Sequence, residues 1–303
     1  MKRRYVTADV FTKTKWQGNP VAVVLDAEGL SSAQMQAIAA EFVYSETTFV
    51  LPPRDAANTA WVRIFTPDRE IPFAGHPNIG TAFVLATEGS YSGLGTDQFI
   101  FEEMAGLVPV RKLRENGAIV GAELITPEPL SERTEVSAAD LAACLSIDEQ
   151  DIAVTAHKPK VVSVGLPFLV AEIASRSALA KCVPNLNAYK RILPLDDAKS
   201  IYVYTRDVSH RPEETHTDIQ ARMFTGRMTE DPATGSATAA MAALFARVHE
   251  RPNLTLTVGQ GFDMGRPSIL YVSSKTQATR PEIRIGGHCV KVMEGSFELI
   301  GEA

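Results

Sequence analysis

The sequence predicts an α+β fold: two pseudo-symmetric antiparallel β-barrel-like domains, each wrapped around a central buried helix. Three observations predict it. Two helical runs are apolar on nearly every side, one from Ile79 to Ala86 and one from Ala237 to Val248, where only Thr238 and Arg247 are polar. A helix without a wet face is surrounded by protein or lipid, and both runs fall short of the roughly 20 apolar residues that a bilayer requires. Each run also follows the same phrase, Arg63-Ile64-Phe65-Thr66 before the first and Arg222-Met223-Phe224-Thr225 before the second, so one unit of strand, polar loop and buried helix occurs twice. Finally, the other apolar segments are short and joined mostly by turns. That favours antiparallel pairing over a doubly wound parallel sheet, in which strands alternate with helices.

Taken in order, Tyr5 to Val10 reads as a strand, Lys15 to Pro20 as turn chemistry and Val21 to Leu25 as a buried strand. Ser31 or Ser32 caps a helix from Ala33 to Phe42 that buries Met35, Ile38, Ala39 and Phe42. A β-branched and aromatic stretch from Phe42 to Val50 follows, then Trp61 to Phe65, with Arg63 on the face opposite Val62 and Ile64. Beyond the first buried helix come strands at Gln98 to Glu102 and Val108 to Leu113. The hairpin signal Glu115-Asn116-Gly117 then returns the chain through Ala118 to Ile125. Thr126-Pro127-Glu128-Pro129 breaks every regular pattern, so the expected domains are 1–128, to which the terminal strand 290–303 can add, and 129–289. In the second domain, Ala138 to Leu145 is a short helix. Strands are expected at Val161 to Val164, Phe168 to Ile173, Ser200 to Tyr204, Thr217 to Phe224, Leu254 to Val258, Ser268 to Ser273, Glu282 to Ile285 and Cys289 to Leu299. The polar stretch Arg206 to His216 reads as an exposed loop.

The 303 residues suffice for about two domains. A net charge of −6 without a basic block argues against nucleic acid and anionic membrane as partners. Lys2-Arg3-Arg4 is followed by a segment too short and polar for a signal peptide. Three scattered cysteines, Cys144, Cys182 and Cys289, form no metal-ligand spacing and suit a reducing, cytoplasmic setting.

The chemistry is expected where the buried helices begin. Free N–H groups and the positive end of the helix dipole make such an end a seat for an anion. Two such ends suggest a small carboxylate held between the lobes. Glu46, set among Val43, Tyr44, Phe49 and Val50, is the candidate general base, its carboxyl raised toward the working pH by partial burial; the plain alternative is an edge-strand glutamate in solvent. His76 is either a substrate contact and proton relay or a capping histidine. Asp231 is either a helix cap or an acceptor for a substrate amino or hydroxyl group. Gly75 and Gly235 allow close approach of a ligand or simply make turns, and Ser236 donates to a carboxylate or to its own helix. The glycine-rich stretch Gly259 to Ser268 lacks a Walker lysine and reads as a structured loop. A Cys289–His288 nucleophile has no oriented third partner.

At these residues the chain resembles the PhzF-like family of phenazine biosynthesis. The resemblance rests on Asp9-Val10-Phe11-Thr12, Gly18-Asn19-Pro20, Ser45 to Val50, Arg63 to Pro67, Pro72 to Pro77, Gly165-Leu166-Pro167-Phe168, Glu230 to Ala237 and Met264 to Ser268, all in order. It implies a diaminopimelate-epimerase-like fold, a homodimer, and no metal or organic cofactor. It also implies chemistry of the trans-2,3-dihydro-3-hydroxyanthranilate isomerase type, in which a proton moves between ring carbons. By the same resemblance Glu46 is the acid/base, His76, Asp231 and Ser236 are polar site residues, and Gly75 and Gly235 are the helix-end positions. The related epimerases and proline racemases use two cysteines there; His76 and Ser236 stand at or near those places in this chain, which argues against two-thiol racemisation. Asn78, where a threonine is common, and Val43-Tyr44 depart from the pattern, and Trp16 and Tyr44 are expected to reshape the pocket. Two rival readings stay open: a non-catalytic metabolite-binding relative, and a thiol hydrolase using Cys289.

Overall fold

The computed structural model describes residues 2–88, 96–208, 216–276 and 281–298. The chain divides into two compact units, Met1–Leu124 with Gly286–Ala303, and Ile125–Ile285. Both cuts fall within strands that run on across them, Ala118–Ile125 and Pro281–Glu298, so turn residues do not mark them.

The first unit runs β1 (Lys2–Val10), β2 (Asn19–Val24), α1 (Ser32–Phe42), β3 (Glu46–Leu51), β4 (Ala60–Phe65), β5 (Glu70–Ile71), α2 (Gly75–Thr87), β6 (Gln98–Glu103), β7 (Gly106–Glu115) and β8 (Ala118–Ile125). The second runs β9 (Ser131–Glu135), α3 (Ala138–Leu145), β10 (Ile152–Ala153), β11 (Lys160–Ser163), β12 (Pro167–Ile173), α4 (Arg176–Lys181), α5 (Leu186–Ile192), β13 (Ile201–Thr205), β14 (Ile219–Phe224), β15 (Glu230–Asp231), α6 (Gly235–Val248), β16 (Leu254–Gln260) and β17 (Ser268–Thr276); β18 (Pro281–Glu298) returns to the first unit.

Among the described residues, β18, β1, β2, β3, β4, β6, β7 and β8 form a closed ring, sealed where β8 meets β18. Helix α2 packs against β1, β2, β3 and β7 of that ring. It is buried without interruption from Gly75 to Ala86. Gly80 lets it in: a Cβ there would stand 2.5 Å from Val21 Cγ1 and 2.9 Å from Val10 Cγ2. Helix α6 takes the same role in the second unit, against β11, β12, β16 and β17. It is buried from Gly235 to Ala246 apart from Ser236.

The repeat extends to the pairing. In the first unit β1–β2 and β3–β4 are antiparallel, β2–β3 and β4–β6 are parallel, and β6–β7 is antiparallel. In the second unit β11–β12, β13–β14 and β16–β17 are antiparallel, while β12–β13 and β14–β16 are parallel. The parallel pairs depart from the antiparallel expectation. Each is bridged by a crossover that contains a helix: α1, α2, α4 with α5, or α6. The repeated arginines are equivalent as well. Arg63 grips Glu70 through Nε and Nη2 at 2.7 and 2.6 Å, and Arg222 grips Glu230 in the same way at 2.9 and 2.8 Å.

Several local expectations are corrected. Ser31, not Ser32, is the N-cap of α1, in a reciprocal capping box with Gln34. The stretch from Phe42 to Val50 is not one strand, because α1 continues to Phe42 and Val43 closes it in the left-handed region at φ 58°. Only from Glu46 is the backbone paired. Helices α4 and α5 stand where no helix was expected; both are about two turns or shorter, below the length at which periodicity shows. The hairpin turn at Asn116 and Gly117 has positive φ at both residues, as a type I′ turn requires. Within the polar stretch Arg206 to His216, residues 209–215 lie outside the described residues, as does Leu299. No helix among the described residues is long and apolar enough to cross a membrane.

Candidate active site

Both buried helices begin earlier than the apolar pattern implied, at the glycines themselves. Gly75 and His76 therefore lie in the first turn of α2, and Gly235 and Ser236 in the first turn of α6. Neither helix has a side-chain cap. The N-cap of α2 is Ala74, which has nothing to offer, so His76 is not a capping residue. The N-cap of α6 is Thr234, whose hydroxyl donates to Asp231 Oδ2 instead of accepting from the helix. Asp231 is thus not the cap either. Uncapped N–H groups in the first turn are what an anion seat needs.

In the first unit, the parallel register of β2 and β3 sets Glu46 opposite Val21. Its Oε2 stands 3.4 Å from His76 Nε2, with the two side chains only 17% and 7% exposed. This contact is not an ion pair. Burial drives the imidazole pKa down to about 3, and the Pro20 carbonyl, a hydrogen-bond partner, opposes this only weakly. A neutral ring can pass a hydrogen bond to or from Glu46 but lends it no charge. On its other side, His76 Nδ1 is 3.4 Å from the Asn19 amide. Asn19 is fully buried, so a residue read from sequence as part of a turn is a wall of this site. The only signal for it was its place in the phrase Gly18-Asn19-Pro20.

Trp16 is 63% exposed, at φ 71°, with its backbone N–H fixed on the buried Asp9 carboxylate at 2.7 Å. Tyr44 stacks on Phe42, with ring centroids 6.0 Å apart.

Asn78, the departure noted above, is fully buried in the first turn of α2 and neighbours Glu103. Both Glu103 carboxyl oxygens are shut off from solvent. Burial raises this carboxyl from 4.5 to about 8, with Asn78 opposing. The fold therefore favours the neutral acid. The stabilisation this gives is whole below pH 4.5, is lost as pH climbs from there to about 8, and loses no more above that. Glu103→Gln is expected to flatten that decline, by a few kcal/mol at about one pKa unit per 1.4 kcal/mol. Urea unfolding of both proteins at the two ends of the range checks it; parallel pH profiles would contradict it.

In the second unit, Asp231 is buried at the end of β15, opposite Met223 of β14. Ser236 is the half-buried member of an otherwise buried run from Asp231 to Ala246. Gln260, also fully buried, bonds to the backbone of Asp231 and Thr234. It lies in the glycine-rich stretch that reads from sequence as a structured loop, but Gly259 and Gln260 still belong to β16.

The thiols are unsuited to nucleophilic work. Burial raises Cys144 to about 11 and Cys182 to about 12, and pushes Cys289 up as well. A thiol held protonated attacks poorly. Native protein treated with iodoacetamide is expected to keep its activity and to take up no label at these positions; loss of activity together with alkylated Cys289 would restore the hydrolase reading.

The arrangement has relatives. The family of phenazine biosynthesis-like proteins matches residues 8–295. The chain belongs to the PhzF family. A relative in Mesorhizobium japonicum, known as an uncharacterised isomerase, is 37% identical over 97% of this chain and 98% of its own length. The trans-2,3-dihydro-3-hydroxyanthranilate isomerase of Pseudomonas aeruginosa is 33% identical over 96% of this chain and 98% of its own. Among solved structures, a predicted epimerase from Pseudomonas aeruginosa superposes with a TM-score of 0.78 at 29% identity, over 99% of this chain and all of that one. The fold alone is shared with a hydroxyproline epimerase from Agrobacterium vitis, at a TM-score of 0.58 and 14% identity, over 98% of this chain and 91% of that one. Kinship within the PhzF family thus supports isomerase activity.

Proposed function

We propose that this PhzF-family protein is a cofactor-independent isomerase that moves a proton on a small, carboxylate-bearing substrate. The observation that carries the reading is Glu46: a carboxyl held 3.4 Å from a neutral imidazole, beside the uncapped first turn of α2. In this reading the Glu46 carboxylate removes a proton from a carbon made acidic by conjugation with the substrate carboxylate. The C–H electron pair enters the π-system, and helix N–H groups hold the charge that builds on oxygen. The Glu46 acid then returns the proton to another carbon on the same face. One C–H bond breaks and one forms, with no change of oxidation state. At the entry of α6, Asp231 is proposed as an acceptor for an amino or hydroxyl group and Ser236 as a donor to a carboxylate.

The substrate of the Pseudomonas aeruginosa relative, trans-2,3-dihydro-3-hydroxyanthranilate, is the first compound to try, followed by cyclic and amino carboxylates. The expected product has unchanged mass and a displaced double bond, read by mass spectrometry and NMR. A product of altered mass would contradict the reading.

A further inference from the structure

We propose that Gln260 is a positioning residue, which fixes the Asp231 carboxylate through Thr234 and so sets how the entry of α6 meets a substrate. The inference rests on the isomerase reading for its consequence and on hydrogen-bond geometry for its substance.

The Gln260 side chain is fully buried at the end of β16 and makes three bonds. Its Oε1 accepts the Thr234 N–H at 3.1 Å. Its Nε2 donates to the Asp231 carbonyl at 2.9 Å and to Thr234 Oγ1 at 3.1 Å. The backbone fixes the amide orientation: turned over, the amide would set oxygen against the Asp231 carbonyl and N–H against N–H at Thr234. With Nε2 donating into Thr234 Oγ1, the single hydroxyl proton is directed onward, onto Asp231 Oδ2. The relay runs in one sense, amide to hydroxyl to carboxylate, and holds Asp231 as an acceptor. It also diverts the Thr234 hydroxyl from the capping role that would close the first turn of α6.

A second observation places the same segment independently. Gly261 sits at φ +78°, and a Cβ there would stand 2.3 Å from Arg266 O and 2.6 Å from Pro232 O. Only glycine brings the Gln260 segment onto the residue that follows Asp231. The glycine-rich stretch is therefore the brace of the α6 entry. Glutamine is the side chain the geometry needs: leucine has no polar atom, and glutamate would keep the acceptor but lose both donations and bring a second carboxylate beside Asp231.

The test uses the full-length chain with Gln260→Leu, Thr234→Val and Thr234→Ser. Gln260→Leu and Thr234→Val are each expected to lower kcat/KM by 10- to 100-fold. Thr234→Ser, which keeps the hydroxyl, should stay within about threefold of wild type. The Gln260→Leu/Thr234→Val double variant should be no worse than about threefold below the poorer single variant, since both break one relay. Hydrogen exchange at the Thr234 amide should be at least 10-fold faster in Gln260→Leu, while amides of β14 and β16 stay protected. Wild-type kcat/KM in folded Gln260→Leu, multiplicative losses in the double variant, or an equally slow Thr234 amide would overturn the proposal. If Gln260→Leu fails to fold, the Val-against-Ser contrast at Thr234 decides. If the wild-type protein isomerises nothing, the isomerase reading has failed. The relay is then judged on Thr234 exchange and on the affinity of the carboxylate that most raises Tm.

Discussion

Replacing Glu46 with glutamine is expected to lower turnover by about 10²- to 10⁴-fold, the usual contribution of a positioned acid/base, while ligand affinity changes little. Glutamine keeps the volume of the side chain and an oxygen that can face His76, but it can neither take nor return a proton. The neutral imidazole does not take over. With its pKa at about 3 it is a poor base, and it stays uncharged throughout the pH range of an ordinary assay. The effect should therefore fall on kcat, since the interaction lost is one made to the moving proton and not to the bound ground state. Pre-steady-state turnover and calorimetric binding on the same preparations separate the two. A Glu46→Gln protein with wild-type kcat would remove Glu46 from the chemistry.

The second large effect is on stability. Arg222→Met is expected to destabilise the second unit by about 3–5 kcal/mol, the range for breaking one side of a buried pair. Its guanidinium holds Glu230 through two bonds and donates from Nη1 to three carbonyls, Leu179 at 3.0 Å, Ala180 at 3.2 Å and Cys182 at 2.9 Å, at the end of α4. Methionine would leave those acceptors unanswered and the half-buried Glu230 without its guanidinium, with Asp263 also nearby. At roughly 2–4 °C per kcal/mol for a unit of this size, Tm should fall on the order of 10 °C. The repeat supplies an internal control. Arg63 makes the matching grip on Glu70, but beyond it, among the described residues, donates only to Ser32, and Glu70 is more exposed than Glu230. Arg63→Met should cost clearly less. Equal losses at both positions would mean that the carbonyl bonds of Arg222 carry no weight.

The architecture was legible because it is written in local terms. An apolar helix with no wet face has to be enclosed, and two such helices after two matching arginine phrases define two enclosures. The Asn-Gly hairpin is legible for the same reason: its backbone demands are met by two adjacent residues. What was hidden depends on distant partners. The terminal strand is expected to be able to join the first domain, but nothing in β18 names β1 and β8 as its neighbours, because alternation specifies a face and not a neighbour. The parallel pair β12–β13 was masked because α4 and α5 are too short to register, and for the pairs bridged by α1, α2 and α6 a helix between two strands does not say which strands become neighbours. At the site, residue types marked Glu46 and His76, but their approach joins segments thirty positions apart in sequence, and the neutrality of His76 comes from burial that no local pattern reports. Asp231 reads from sequence as either a cap or a substrate acceptor, because aspartate before a helix often caps it; the actual N-cap, Thr234, gives its hydroxyl to Asp231 instead. Gln260 was invisible inside a stretch judged by its glycines.

One measurement tests the central claim most directly. Wild-type and Glu46→Gln proteins are incubated in deuterium oxide with each carboxylate that raises Tm, and recovered ligand is examined by NMR for deuterium at carbon. A proton that exchanges with solvent while it rests on the Glu46 carboxyl predicts carbon-bound label with the wild-type protein and none with Glu46→Gln, although both bind the ligand. No label in any stabilising carboxylate, or equal label from the two proteins, would contradict it.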